Sequence, residues 1–232
     1  MSAVVSRNPD RVFFGVMTGL TFAVLFVGFA RTFFLKPLFD TPALAPVIHL
    51  HGAVATLWPV LLIAQVALIR ARNYQFHRTL GMIGIVVAVL FVVTAAMASM
   101  GKPRPTEAAR AILILPMHQL VFFSLAVAAG IYFRNKAAIH KRLMYLATFI
   151  TVMTGLRRCL TLLDITVTPY QVLTLASALL LLPLFVHDAF TLRRIHPVTW
   201  GGALLAFAAI PLHIFVGYTA GWQHFADWLT NR

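Results

Sequence analysis

Seven stretches of this chain are nearly unbroken runs of apolar residues, and the polar residues gather in the short segments between them. The runs are Val12–Leu35, Leu44–Ile69, Thr79–Met100, Ala109–Phe133, Leu143–Leu163, Tyr170–Leu192 and Val198–Tyr218. A helix needs about 20 apolar residues to cross the hydrocarbon of a bilayer. Hydrocarbon cannot satisfy backbone polar groups, so such runs must be helices that bond to themselves. The pattern predicts an all-α, polytopic membrane protein in which residues 1–232 form a single domain of seven transmembrane helices. The connections are short, so successive helices are expected to be antiparallel neighbours.

The polar positions inside the runs have a direction. Residues seven apart lie close to one face of a helix. His51, Trp58 and Gln65 form such a row, which predicts that this face of the second helix points into the bundle. On the fifth helix Thr148, Thr151, Thr154 and Arg158 form a polar stripe, and on the sixth Tyr170, Thr174, Ser177 and Asp188 do the same. These stripes predict a polar interior channel or cavity.

Charge adds the orientation. Only 11% of residues are charged, with Lys and Arg outnumbering Asp and Glu 19 to 6. The excess does not point to nucleic acid, because the basic residues lie in loops between spans. One side collects Arg7, Arg11, Arg70, Arg72, Arg78, Arg134, Lys136, Lys141, Arg142, Arg193 and Arg194; the other holds Lys36, Lys102, Arg104, Arg110 and Arg232. Eleven against five predicts a cytoplasmic N-terminus and a C-terminus outside. Trp200 then marks the inner interface, and Trp222 and Trp228 the outer one. The tail Gly221–Trp228 is expected along the outer surface. The apolar stretch after Arg11 is too long for a signal-peptide core and lacks a small-residue cleavage site, so it reads as the first span. Cys159 is the sole cysteine, which rules out an internal disulfide.

The candidate chemistry is a layer of histidines and arginines in the outer half. His51, His118 and His213 stand at similar depth, about 10 Å from the outer ends of their helices. Two of them follow a Pro-x-His pattern, Pro116-Met-His118 and Pro211-Leu-His213. The prolines each remove a backbone bond and are expected to kink the fourth and seventh helices there. Arg31, Arg157 and Arg158 share the layer. Ionisable groups are expensive in hydrocarbon, so six from five helices suggest a site in which imidazoles bind a cofactor or metal and arginines clamp an anion. The alternative is interhelical hydrogen bonding, with the arginines snorkelling to headgroups. His49 is about 200° around the helix from His51 and does not share its direction.

Toward the inner face, Phe76-His77-Arg78-Thr-Leu80-Gly81 and Ile139-His140-Lys141-Arg142-Leu143-Met144 each follow a basic loop. Interfacial anchoring explains both. The two motifs also resemble the His-Arg-x-Leu-Gly and His-x-x-x-Met elements of uncharacterised bacterial multi-span families (DUF2306 and DUF420), over helices 2 to 5. The same region is similar to the cytochrome b561 arrangement. That resemblance implies one haem between His51 and His118 in the outer half and another between His77 and His140 in the inner half. It departs from that family in placing His77 and His140 almost at the interface and in carrying a third outer histidine, His213. A bacterial cytoplasmic (inner) membrane is the expected location, with the lipid bilayer as surroundings.

Three functions follow as expectations. The first is a haem b redox protein passing electrons, with quinone or another redox protein as partner and Arg31, Arg157 or Arg158 neutralising propionates. The second is a membrane metalloenzyme holding zinc, copper or iron on His51, His118 and His213, with His49, His77 and His140 as weaker candidates. It resembles seven-span hydrolases only superficially, since Gly217 stands where they carry a histidine and no carboxylate lies in the outer layer except Asp164 at its rim. The third is a transporter or binding protein for a small anionic ligand. A retinal protein is excluded because the seventh helix has no lysine. His187 and Asp188 are expected to contact Arg193 and Arg194 or to relay protons with His140 or His196. Gln119 is a candidate support for a histidine, and His224 a surface residue.

Overall fold

The computed structural model describes residues 9–100 and 103–230. Arg7, Lys102 and Arg232, three of the charges counted above, lie outside them. The elements are α1 (Pro9–Phe29), α2 (Pro46–Arg70), α3 (Tyr74–Met100), α4 (Glu107–Ile112), α5 (Ile114–Tyr132), α6 (Ala137–Ala147), α7 (Phe149–Leu162), α8 (Pro169–Leu192), α9 (Pro197–Gly217) and α10 (Ala220–Thr230). Six helical runs are long and apolar enough to cross a membrane: Pro9–Phe34, Pro46–Arg70, Tyr74–Met100, Glu107–Tyr132, Ala137–Leu162 and Pro169–Leu192. The chain is therefore a polytopic helical membrane protein. Below, the end of the bundle where α1 starts is called proximal and the opposite end distal.

Two of the expected single helices are broken. α4 and α5 meet at Leu113, three residues before Pro116, whose missing N–H leaves the carbonyl of Ile112 without its helical donor. α6 and α7 meet at Thr148 with no proline nearby. There the ladder tightens, Thr148 N–H reaching Tyr145 O and Thr151 N–H reaching Thr148 O, both at 3.0 Å. The Thr148 and Thr151 hydroxyls donate to the same two carbonyls at 2.6 Å. Side chains that compete for backbone acceptors in this way bend helices. α1 departs from regularity too, passing through a π turn over Ala30–Phe34.

The helices pack around two apolar clusters. One joins α2, α3 and α5, with Trp58 against Phe123 at 4.8 Å and Phe91 against Phe123 at 4.7 Å between ring centroids. Trp58 and Gln65 are both buried, so the row beginning at His51 does face inward. The other cluster centres on α8, where Leu173, Ala176 and Leu184 are wholly buried. The α8 stripe points inward only in part: Ser177 and Asp188 are buried, whereas Thr174 is exposed. α1 and α7 cross at two glycines. A Cβ on Gly155 would lie 3.0 Å from the Val24 carbonyl oxygen and 3.1 Å from Leu25 Cα, and one on Gly28 would collide with the Gly155 carbonyl. Small residues at such contacts let helices in lipid approach closely enough for packing to hold them.

A charged knot ties the proximal end. Arg142 and Asp188 are both fully buried and pair through the guanidinium Nε and Nη2. Asp188 also accepts from the Thr199 hydroxyl at 2.6 Å and the His196 N–H at 3.1 Å, while Arg142 donates to the Ala138 carbonyl at 2.8 Å. His187 Nε2 lies 3.2 Å from Asp10, which also takes Lys141 at 2.5 Å. Asp188 pairs with Arg142 in place of the expected Arg193 and Arg194, and Arg193 ends α8 in a left-handed cap at φ 56°. Burial, and then the nearby Arg142, push His196 below its ordinary pKa. Neutral at physiological pH, its Nδ1 accepts the Val198 N–H at 3.1 Å and caps α9.

Breaking a buried pair strands the remaining charge at a cost of about 3–5 kcal/mol, whereas replacing both partners with apolar groups is often near neutral. Asp188→Leu should therefore lower the midpoint of thermal unfolding in detergent far more than the double variant Arg142→Met/Asp188→Leu. Equal losses in the two would show that the pair itself, rather than the stranded charge, is what matters.

Candidate functional site

The six groups of the outer layer separate into different surroundings. His118 on α5 faces His213 on α9, with ring centroids 4.6 Å apart and planes at 66°. His213 is 2% exposed, and neither of its ring nitrogens has a partner among the described residues; the same holds for His118 Nδ1. His51 does not join them. Arg31 is exposed, its guanidinium carbon 5.2 Å from the Phe39 ring. Arg157 and His49 are exposed as well.

His51 instead faces a cavity of about 430 Å³ enclosed by α1, α2, α3, α5 and α7 at the distal end. The apolar part of its wall comes from Leu25, Phe29, Phe33, Phe34, Phe91 and Leu120. The polar part comes from His51, Gln119, Arg158 and the hydroxyls of Thr32, Thr41, Thr56, Ser99, Thr151 and Thr154, of which the buried Thr32 hydroxyl has no partner among the described residues; no carboxylate of the described residues lines it. The roof is the π turn of α1 with Thr41–Leu44. Lys36 holds that roof by donating from Nζ to the Thr41 carbonyl (2.6 Å), the Thr41 hydroxyl (2.8 Å) and the Pro42 carbonyl (2.8 Å). Gly52 lacks the Cβ that would collide with the Phe33 ring, which lets that ring lie over α2. π turns recur at functional sites because they redirect side chains within a helix.

The polar groups have definite hydrogen-bonding roles. His51 Nδ1 is 3.2 Å from the Thr94 hydroxyl oxygen. Thr94 already donates its proton to the Leu90 carbonyl at 2.7 Å. With that proton engaged its oxygen is left to accept, which favours a neutral His51 protonated on Nδ1 with a lone pair at Nε2. Gln119 is 6% exposed and its amide nitrogen donates to the Met153 sulfur at 2.8 Å. A thioether is a weak acceptor, so this donor is poorly used. Arg158 is exposed, with its guanidinium carbon 5.3 Å over the Phe29 ring on the cavity wall. A planar cation over an aromatic face keeps its in-plane N–H donors available.

At the proximal end His77 and His140 do meet, with ring centroids 6.4 Å apart and planes at 88°. His140 Nδ1 donates to the Gly130 carbonyl at 2.8 Å, which leaves its Nε2 as a lone pair. His77 Nδ1 is buried without a partner among the described residues. Two imidazoles on opposite sides of one metal, each bonded at about 2.0 Å, put their centroids about 6.3 Å apart, and adjacent positions put them about 4.5–5 Å apart. The His77–His140 spacing fits opposite positions. The His118–His213 spacing fits only adjacent ones and leaves no room for a porphyrin plane between the rings. Among the described residues no three His, Cys, Asp or Glu side chains stand close enough together to hold an ion. His51, His118 and His213 therefore form no three-ligand metal group.

Several functional features lie beyond the sequence reading. Thr94, the Lys36 latch and the π turn carry no local signature, while Gln119 was visible only as a neighbour of His118. The tautomer assignment is testable. Nitrogen-15 NMR of histidine-labelled protein should show His51 protonated at Nδ1, and Thr94→Val should convert it to a mixture of tautomers. An Nε2-protonated His51 in the unsubstituted protein would contradict the assignment. Comparison with family profiles, characterised proteins and solved structures found no match to this chain.

Proposed function

We propose that this chain is a seven-span membrane protein, with α9 as the seventh span, that binds a small and mostly apolar molecule in the distal cavity. The charge bias supports an orientation with the N-terminus in the cytoplasm, and on that orientation the cavity belongs to the outer half of a bacterial inner membrane. The observation that carries the reading is a mainly apolar lining, four phenylalanines among it, into which His51, Gln119 and Arg158 bring a few nitrogen-bearing polar groups. Ligand sites are typically apolar pockets of about 300–1,000 Å³ with a few converging polar groups. A binding or transport role of this kind needs no catalytic carboxylate.

A cavity-filling variant tests it. Ala55 lines the cavity and is only partly buried, so Ala55→Phe fills the space at modest cost to the fold. Membrane-soluble compounds that bind should raise the thermal midpoint of the protein, by about 2.7 kcal/mol of stabilisation at one hundred times their Kd. Ala55→Phe should unfold at a similar temperature without ligand and lose the shift. Equal shifts in both proteins would place the binding elsewhere.

A second reading is a haem b redox protein, favoured by the 6.4 Å perpendicular approach of His77 and His140. Haem would supply one-electron chemistry there. His140, oriented by its bond to the Gly130 carbonyl, and His77 on α3 are the residues that would hold the group. On this reading the purified protein has a Soret band that His140→Ala removes and His118→Ala leaves in place. A colourless preparation from haem-supplemented cells contradicts it.

A further inference from the structure

We propose that the cavity takes a hydroquinone-type molecule, a flat ring bearing one hydroxyl that donates to His51 and a second oxygen that accepts from Gln119 or Arg158. The inference rests on the cavity being a ligand site and names the class of ligand.

Donor and acceptor polarity carries the argument. Thr94 spends its proton on Leu90, so His51 is fixed as an acceptor toward the cavity. A carboxylate or an oxidised quinone offers only lone pairs and would meet His51 Nε2 lone pair to lone pair. A hydroxyl satisfies it. The remaining polar wall asks for the reverse. Gln119 has an amide N–H resting on a sulfur, and Arg158 brings a cation to a cavity without a carboxylate. Leaving the buried Gln119 amide and the half-buried His51 ring unmatched costs more than matching them returns, so the complementary ligand donates at one end and accepts at the other. The two oxygens of a hydroquinone do both.

Shape agrees with polarity. Phe29, Phe33 and Phe91 line the cavity, and their faces and edges suit a planar ring. The cavity volume of about 430 Å³ lies within the range of small-molecule sites, about 300–1,000 Å³. The cavity is not fully closed by its five helices, which gives a tail a way out.

The test compares ligands on the intact protein before any substitution. Isothermal titration of the detergent-solubilised full chain is run under anaerobic conditions with a short-chain benzoquinol, its quinone and laurate. The benzoquinol should bind at least about fivefold more tightly than the quinone, the size of one net hydrogen bond. Thr94→Val removes no ligand contact but frees the His51 tautomer, so it should bring the two affinities together. His51→Gln keeps an acceptor and should retain part of the preference, whereas His51→Ala should abolish it. Quinone or laurate binding as tightly as the quinol, with Ala55→Phe blocking all three, overturns the hydroquinone assignment and leaves the cavity as a ligand site. Failure of all three compounds to bind overturns both.

Discussion

The distal site hangs from the place where α1 and α7 touch backbone to backbone. Neither Gly28 nor Gly155 has a side chain to hold the helices apart, and any Cβ there would meet main-chain atoms of the opposite helix. In lipid there is little hydrophobic drive between helices, so close packing of this sort carries much of their association. The contact also sets chemistry. Arg158 lies one turn beyond Gly155, and a Cβ on Gly28 would stand 3.1 Å from the Arg158 Cβ. The guanidinium is thereby delivered to Phe29 and the cavity wall. Just past this crossing α1 loosens into its π turn, which carries Thr32, Phe33 and Phe34 over the cavity as a roof.

The two ends of the bundle handle charge in opposite ways. At the proximal end Asp188 is fully committed, with Arg142, Thr199 and the His196 N–H all bonded to it. Such a saturated carboxylate acts as a fastening between α6, α8 and α9. At the distal end His51 has an open lone pair, Gln119 a badly matched donor and Arg158 no carboxylate in the wall beside it. Buried polar groups are normally satisfied. The saturated carboxylate therefore reads as structure, and the polar groups of the cavity wall as capacity left over for a ligand.

Depth was legible in the sequence, and direction around each helix only partly so. Hydropathy runs locate the spans because the bilayer fixes their length. The seven-residue row placed Trp58 and Gln65 inside correctly. The histidine layer shows the limit. His118 and Gln119 share a depth, yet a rotation of about 100° between neighbours sends one toward His213 and the other into the cavity. Equal depth thus gathered His51, His118 and His213 into one site that the packing divides. Long-range choices were also hidden. Nothing local tells Asp188 to take Arg142, 46 positions away, in preference to Arg193. The break at Thr148 has no proline to announce it, since it arises from hydroxyls tightening the ladder. The approach of His77 to His140 joins residues 63 positions apart on different helices, and no local pattern announces it.

The most direct test of the account is an experimental density map of the protein in lipid nanodiscs prepared with a short-chain benzoquinol. The account predicts a planar feature between Phe33 and Phe91, with one polar atom at hydrogen-bonding distance from His51 Nε2 and another near Gln119 or Arg158. A map in which Phe33 and Phe34 fold inward and close the space between α1, α2 and α7 would contradict it.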